Sequence, residues 1–302
     1  MASPNKVTLS ALAARKRAGE KFAVLTCYDF PTAQIMFEAG VDVLLVGDTV
    51  AEVVLGYPQT RSVSMDFMIE VAAAVRRGAP DGFVIGDMPY ASGYHESPDA
   101  GVAAARRFIE EAGCDIVKVE MNRRQLPVLE ALRNAGVPVM PHIGLRPQRL
   151  AESGGYRAQA RDADSALALL DEARLMEEAG ASMLLLEAVA AEVSAEICSH
   201  TKLPVVGCVA GPACDGTVVV LHDMLGWGGG HPPRSVKRYA ELRPLLASAF
   251  AAYAADVRAG RFPAPENSIR MAKGQYEELR ARLDAASAAK KCENATRREN
   301  EP

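Results

Sequence analysis

Five short apolar runs in this chain each end in a charged or polar residue, always at the same end. Val43-Leu44-Leu45-Val46 leads into Gly47, Asp48 and Thr49, and residues 83–86 lead into Asp87. Residues 115–119 carry Lys118 and stop at Glu120, residues 138–141 stop at His142, and residues 182–186 stop at Glu187. Runs this short and this apolar mark strands buried on both faces, as in a parallel sheet. A polar residue at the carboxyl end of such a strand is held on rigid backbone at the rim of the sheet. Core packing alone gives no reason for five of them.

The intervals between these runs read as helices. Pro31 suits the first turn of a helix that reaches Phe37, and Ser64 with Asp66 opens another over residues 65–77. Further helical patterns cover residues 100–113, 125–136, 164–180 and 192–200. Four helices close on Ala-Gly, at Gly40, Gly113, Gly136 and Gly180, as where glycine takes the left-handed cap. Residues 22–29 read as the first strand, 204–211 as the seventh and 217–225 as an eighth, with helical sequence onward to about Gly260. This alternation predicts a (β/α)8 TIM barrel. An open doubly wound sheet is the alternative, though no GxGxxG follows the first strand to support a dinucleotide-binding version.

The expected organisation is one barrel over residues 1–271, preceded by a short helix capped by Thr8, then a charged, Ala-rich tail over 272–302. That tail suits one more helix, with its last ten or so residues disordered. With 49% apolar residues and a net charge of -4, the chain has material for a large core and no polyelectrolyte signal for nucleic acid. No apolar run is long enough to span a membrane, and the first residues lack the apolar core of a secretory signal. The six cysteines form no CxxC pair, and several lie inside apolar runs, which points to a reducing cytoplasm.

In a parallel barrel the carboxyl ends of the strands meet at one mouth. Asp48, Asp87 and Glu120 then face one another, and three ionised carboxylates in a confined space need a cation. All-oxygen ligands without a Cys or His pair favour Mg2+. Taken singly, each acid could equally be a helix cap or a surface ion-pair partner. Lys118 shares a strand face with Glu120, so it either neutralises that acid or receives a substrate carboxylate. His142, between Pro141 and Gly144, is either a core histidine or a site residue. Glu187 ends a markedly apolar run. Partial desolvation there raises a carboxyl pKa and suits a general base, whereas a nearby arginine would make it structural. The stretch 51–64 is longer than most connections and is a candidate functional loop. Together these residues describe a metal that holds an oxyacid beside a glutamate that moves a proton.

At this level of detail the chain resembles a known family. The segments LTCYDFPTA, GVDVLLVGDT, VLGYPQT, RRGAP, GDMPY, DIVKVE, MPHIGL, GGYRAQAR, LLLEAV, GPACDG and LHDMLG, in order over about residues 7–271, resemble ketopantoate hydroxymethyltransferase. The resemblance implies a barrel of the phosphoenolpyruvate/pyruvate-type superfamily, Mg2+ dependence, a homodecamer and a cytoplasmic enzyme. It implies hydroxymethyl transfer from 5,10-methylenetetrahydrofolate to 3-methyl-2-oxobutanoate, giving 2-dehydropantoate on the way to pantothenate and coenzyme A. Asp48 and Asp87 would ligate Mg2+, with Glu120 completing the site directly or through water. Thr49, where the family usually has Ser, would hold the keto acid. Lys118 and His142 would contact its carboxylate and carbonyl side, Tyr28 would line the pocket, and Glu187 would be the general base.

The chain departs from the family pattern at Met121-Asn122-Arg123-Arg124 and in the Gly-rich 227–233. It also reads Gly207-Cys208-Val209-Ala210-Gly211, where the family tends to have glycine in place of Val209. Competing readings are a metal-dependent lyase or mutase of the phosphoenolpyruvate-mutase and isocitrate-lyase group, a Schiff-base aldolase using Lys118, and a catalytically silent paralogue.

Overall fold

The computed structural model describes residues 6–150, 155–228 and 235–299. The chain divides into two compact units, Met1–Arg243 and Pro244–Pro302, so the division falls well ahead of the composition shift at Met271.

In the first unit eight strands close into a barrel in sequence order, every neighbour parallel. They are β1 (Phe22–Thr26), β2 (Val43–Val46), β3 (Phe83–Asp87), β4 (Ile116–Glu120), β5 (Val139–Gly144), β6 (Leu184–Glu187), β7 (Val205–Cys208) and β8 (Gly216–Val219). The helices are α1 (Leu9–Ala18), α2 (Phe30–Glu38), α3 (Val50–Val53), α4 (Met65–Gly78), α5 (Pro98–Glu110), α6 (Leu126–Asn134), α7 (Ala163–Glu178), α8 (Ala191–His200) and α9 (Leu221–Met224).

Side-chain period sorts each strand into two cores. One parity (Leu44, Val46, Val84, Val117, Val139, Leu184, Leu186, Val205) joins the large cluster shared with the helices. The other (Val24, Val43, Leu45, Phe83, Ile85, Ile116, Met140, Met183, Leu185, Val206, Val218) fills the barrel. Leu12 of α1 belongs to this inner cluster and is fully buried. Its helix is moored to the amino ends of the strands by Arg15 on Asp42 (2.6 Å) and Lys16 on Asp215 (2.8 Å). Close helix packing requires glycine at Gly86, where a Cβ would stand 2.4 Å from the Phe108 ring.

Two strands are shorter than their apolar runs. β1 ends at Thr26, because Asp29 turns the chain into α2 by accepting the Thr32 N–H at 2.8 Å. The run expected as one strand over 217–225 is strand only to Val219. Beyond it Leu221 opens α9, its N–H donating to Thr26 Oγ1 at 2.9 Å.

The second unit holds most of α10 (Leu242–Arg258), a 3-10 turn at Pro265–Asn267 and α11 (Gln275–Glu299). α10 carries no buried residue. α11 stays helical through Glu299, beyond the point where fraying was expected. Its Ala, Glu, Lys and Arg are strong helix formers, and pairs such as Glu278–Arg282 lie one turn apart. Residues 300–302, the end of the expected disordered tail, and most of the Gly-rich stretch lie outside the described residues. Among the described residues no helix is long and apolar enough to cross a membrane.

Candidate active site

The inward parity that packs the barrel continues upward into polar residues. Asp87 follows Phe83 and Ile85 at steps of two, Lys118 and Glu120 follow Ile116, His142 follows Met140, and Glu187 follows Met183 and Leu185. Strand register places these residues side by side: Asp87 opposite Lys118, Glu120 opposite His142, and Glu187 opposite Cys208. Asp48 arrives from the turn that ends β2, and its N–H donates to Asp87 Oδ2 at 2.9 Å. Gly144 makes room for Glu187: it has φ +89°, and a Cβ there would sit 2.6 Å from the Glu187 carbonyl oxygen.

A cavity of about 720 Å³ opens at this end of the barrel, with Asp48, Thr49, Asp87, Lys118, His142 and Glu187 in its wall. Two expected site residues are set back from it. Tyr28, expected to line the pocket, reaches it through Thr49, the two hydroxyls 2.5 Å apart, and its ring lies tilted beside that of His222. Glu120 is 1% exposed, its two oxygens sharing the Gln148 N–H at 3.0 and 3.2 Å.

The electrostatics are those of crowded acid. Asp48, Asp87 and Glu120 are buried around one buried lysine, Lys118, which donates to Asp87 Oδ1 at 2.6 Å. Burial first and the Asp48 charge second hold the Asp87 carboxyl above its ordinary range, although Lys118 opposes the shift. Glu120 is raised for the same two reasons. Burial works against the Lys118 ammonium, yet Asp87, Asp48 and Glu120 keep it above a normal lysine value. Burial and the Lys118 charge push His142 down, so it stands neutral. Its Nε2 lies 3.2 Å from Glu187 Oε2 and its Nδ1 3.9 Å from Glu120 Oε1, neither aligned as a hydrogen bond. Among the described residues neither ring nitrogen has an aligned hydrogen-bond partner, and Nε2 faces the Glu187 carboxylate at 3.2 Å.

Among the described residues no three His, Cys, Asp or Glu side chains are gathered tightly enough to enclose a metal ion on their own. Asp48 and Asp87 nonetheless suit a hard divalent cation, which needs one or two carboxylates and completes its shell with water or substrate oxygens. The uncompensated negative charge around Lys118 favours one there.

Sequence reasoning missed Gln148, which reaches the acids from the 3-10 turn Pro147–Arg149 after β5. It also missed Tyr94, fully buried behind them. The long loop 51–64 contributes Glu52 and Thr60 to the cavity wall. Cys208, the last residue of β7, lines the cavity too, but burial pushes its thiol up, which makes it a poor proton carrier for a lyase-type reaction.

A family model described as Ketopantoate hydroxymethyltransferase matches residues 6–265. The chain belongs to the ketopantoate hydroxymethyltransferase family. A 3-methyl-2-oxobutanoate hydroxymethyltransferase of Geobacillus kaustophilus (strain HTA426) is 44% identical over 264 residues, covering 87% of this chain and 94% of the relative. One of Oleidesulfovibrio alaskensis is 43% identical over 285 residues, covering 94% and 98%. Among solved structures, phosphoenolpyruvate phosphomutase of Streptomyces platensis superposes with a TM-score of 0.58 at 16% identity, covering 96% of this chain and 99% of that one. A 2,3-dimethylmalate lyase of the PEP mutase/isocitrate lyase superfamily gives 0.53 at 16% identity, covering 96% and 98%. This chain and these neighbours share one (β/α)8 barrel.

Proposed function

We propose that this member of the family transfers a hydroxymethyl group from 5,10-methylenetetrahydrofolate to 3-methyl-2-oxobutanoate, giving 2-dehydropantoate for pantothenate synthesis, with Mg2+ and in the cytoplasm. The observation that carries this reading is one cavity wall holding the Asp48–Asp87 acid pair, Lys118 and the His142–Glu187 contact.

Asp48 and Asp87 would hold the cation, with Glu120 behind them acting through water. Bound there, Mg2+ supplies Lewis-acid polarisation of the keto group. Thr49, its hydroxyl fixed by Tyr28, holds the keto acid in place. Lys118 offers its positive charge to the substrate carboxylate, and neutral His142 offers an unpaired ring nitrogen to the carbonyl side. Glu187 takes the proton from C3. The electron pair left at C3 forms the new bond to the methylene carbon of the donor. Both bonds from that carbon to the folate nitrogens break, and one water supplies the hydroxyl of the product. The C3 proton and the remaining water proton end on the two nitrogens of tetrahydrofolate. The loop 51–64, already at the wall through Glu52 and Thr60, would cover the cavity and limit bulk water there to the one molecule the transfer consumes.

The test is exchange of the C3 proton of 3-methyl-2-oxobutanoate in deuterated water without donor. Wild type with Mg2+ exchanges, and Glu187→Gln slows this by about 100-fold or more, the span of a lost general base. Equal rates in the two proteins remove Glu187 from its role.

Assembly as a homodecamer belongs to the same reading. It is supported by Leu245, Phe250, Tyr253 and Val257, apolar residues left exposed on α10. Light scattering should give ten times the chain mass, and a monomer mass at micromolar concentration refutes the assembly.

A further inference from the structure

We propose that Gln148 is a positioning residue for the acid cluster, holding Asp48 and Glu120 in their working orientation, and that Tyr94 fixes which way its amide faces. The proposal rests on the reading of this cavity as a cation and keto-acid site.

Gln148 is 1% exposed and every polar atom of its side chain is committed. Nε2 donates to Asp48 Oδ2 at 2.8 Å and to the Met88 carbonyl at 3.1 Å. Oε1 accepts from the Tyr94 hydroxyl at 2.8 Å. The residue's backbone N–H is split between the two Glu120 oxygens. One residue from the loop after β5 therefore ties together the ends of β2, β3 and β4. The amide has only one orientation that works. Turned over, it would set its oxygen against a carboxylate and a carbonyl, neither of which can donate. The buried Tyr94 hydroxyl, with no other partner among the described residues, donates to the amide oxygen and reinforces that orientation.

The consequence for Asp48 is directional. Its Oδ2 is occupied by Gln148, which leaves Oδ1 as the oxygen without a hydrogen bond among the described residues, while the Asp48 N–H is already spent on Asp87. A glutamine whose role was only to close a loop would bond to loop backbone. This one bonds to two of the three acids and to the strand that carries the third.

The test uses Gln148→Met, similar in length without hydrogen bonds, and Tyr94→Phe, which keeps both donors of the amide but frees its orientation. Calorimetric titration of the metal-free proteins with Mn2+ alone reads the site apart from turnover. Expected is a loss of affinity of about 10-fold or more in Gln148→Met, as for other residues that orient ligands from behind. A smaller loss is expected in Tyr94→Phe. Both variants should also raise the KM for 3-methyl-2-oxobutanoate more than they lower kcat, with melting temperatures of the metal-free proteins close to wild type.

Wild-type Mn2+ affinity in Gln148→Met overturns the proposal while leaving the site reading intact. Should that variant not fold, Tyr94→Phe decides alone, and unchanged affinity there overturns it equally. A wild-type protein that binds no Mn2+ defeats the reading of the site, and the proposal with it.

Discussion

Val209 shows most plainly how one residue can work against its backbone. It stands at the cavity wall, 47% exposed, with φ 54°, in the left-handed region that a β-branched side chain rarely enters. The neighbouring backbone holds it there: the Ala188 N–H grips the Cys208 carbonyl at 2.9 Å, and Gly211, whose Cβ would meet Ala191 at 2.6 Å, fixes the far side. Such a residue costs on the order of 1–2 kcal/mol. Val209→Gly should therefore raise stability in urea by about 1 kcal/mol, even after glycine's greater freedom in the unfolded chain. An equal or lower midpoint would show that valine fits this turn without strain. The sequence marks the position only as a departure from Gly-x-Gly; the positive φ comes from the fold.

The elements divide into those that announce themselves and those that need the closed barrel. Strands β2 to β6 are legible because each is an apolar run cut off by its own site residue, from Asp48 to Glu187. The inner and outer cores follow from a period of two. β8 was read too long because Val218, Val219 and Val220 look alike in a list of letters, while only the Thr26 hydroxyl says where the helix begins. α11 was read too short, since a charged, Ala-rich segment can be solvent-facing helix or disordered tail.

Gln148 was illegible for a different reason. A Pro-Gln-Arg turn carries no periodicity, and its partners Asp48 and Glu120 lie 100 and 28 residues away. Position in the barrel also separates acids of the same type. At the amino ends Asp42, Asp115 and Asp215 accept backbone N–H groups from Ala23, Val84 and Val205 and pair with Arg15, Arg76 and Lys16. They are braces. At the carboxyl ends the acids face one another with a single lysine between them.

For the molecule as a whole, that crowding predicts a stability that depends on pH and on the Mg2+ proposed above. Asp87 and Glu120 have folded-state pKa values above those of the unfolded chain, by burial and then by Asp48. A raised carboxyl favours the folded state while protonated. Its contribution is full below the unfolded value, near 4, and is lost as pH rises through the raised value. The metal-free protein should thus show a urea midpoint that falls between about pH 4 and pH 8. Mg2+ should remove that fall, adding about 2.7 kcal/mol at a hundredfold excess over its dissociation constant. Denaturation series in EDTA and in Mg2+ at each pH make the comparison. A metal-free midpoint that rises with pH would mean that the acids are compensated in a way the geometry does not provide.

The two-residue beat shared by Phe83, Ile85 and Asp87 restricts how this enzyme can be rebuilt over evolutionary time. Dropping one residue ahead of Asp87 would turn its carboxylate outward, into the hydrocarbon beneath the helices, and bring Met88 to the mouth in its place. Loops away from the cavity can grow or shrink, whereas the staves themselves accept edits only in pairs. New chemistry on this frame has to come by exchanging side chains in place.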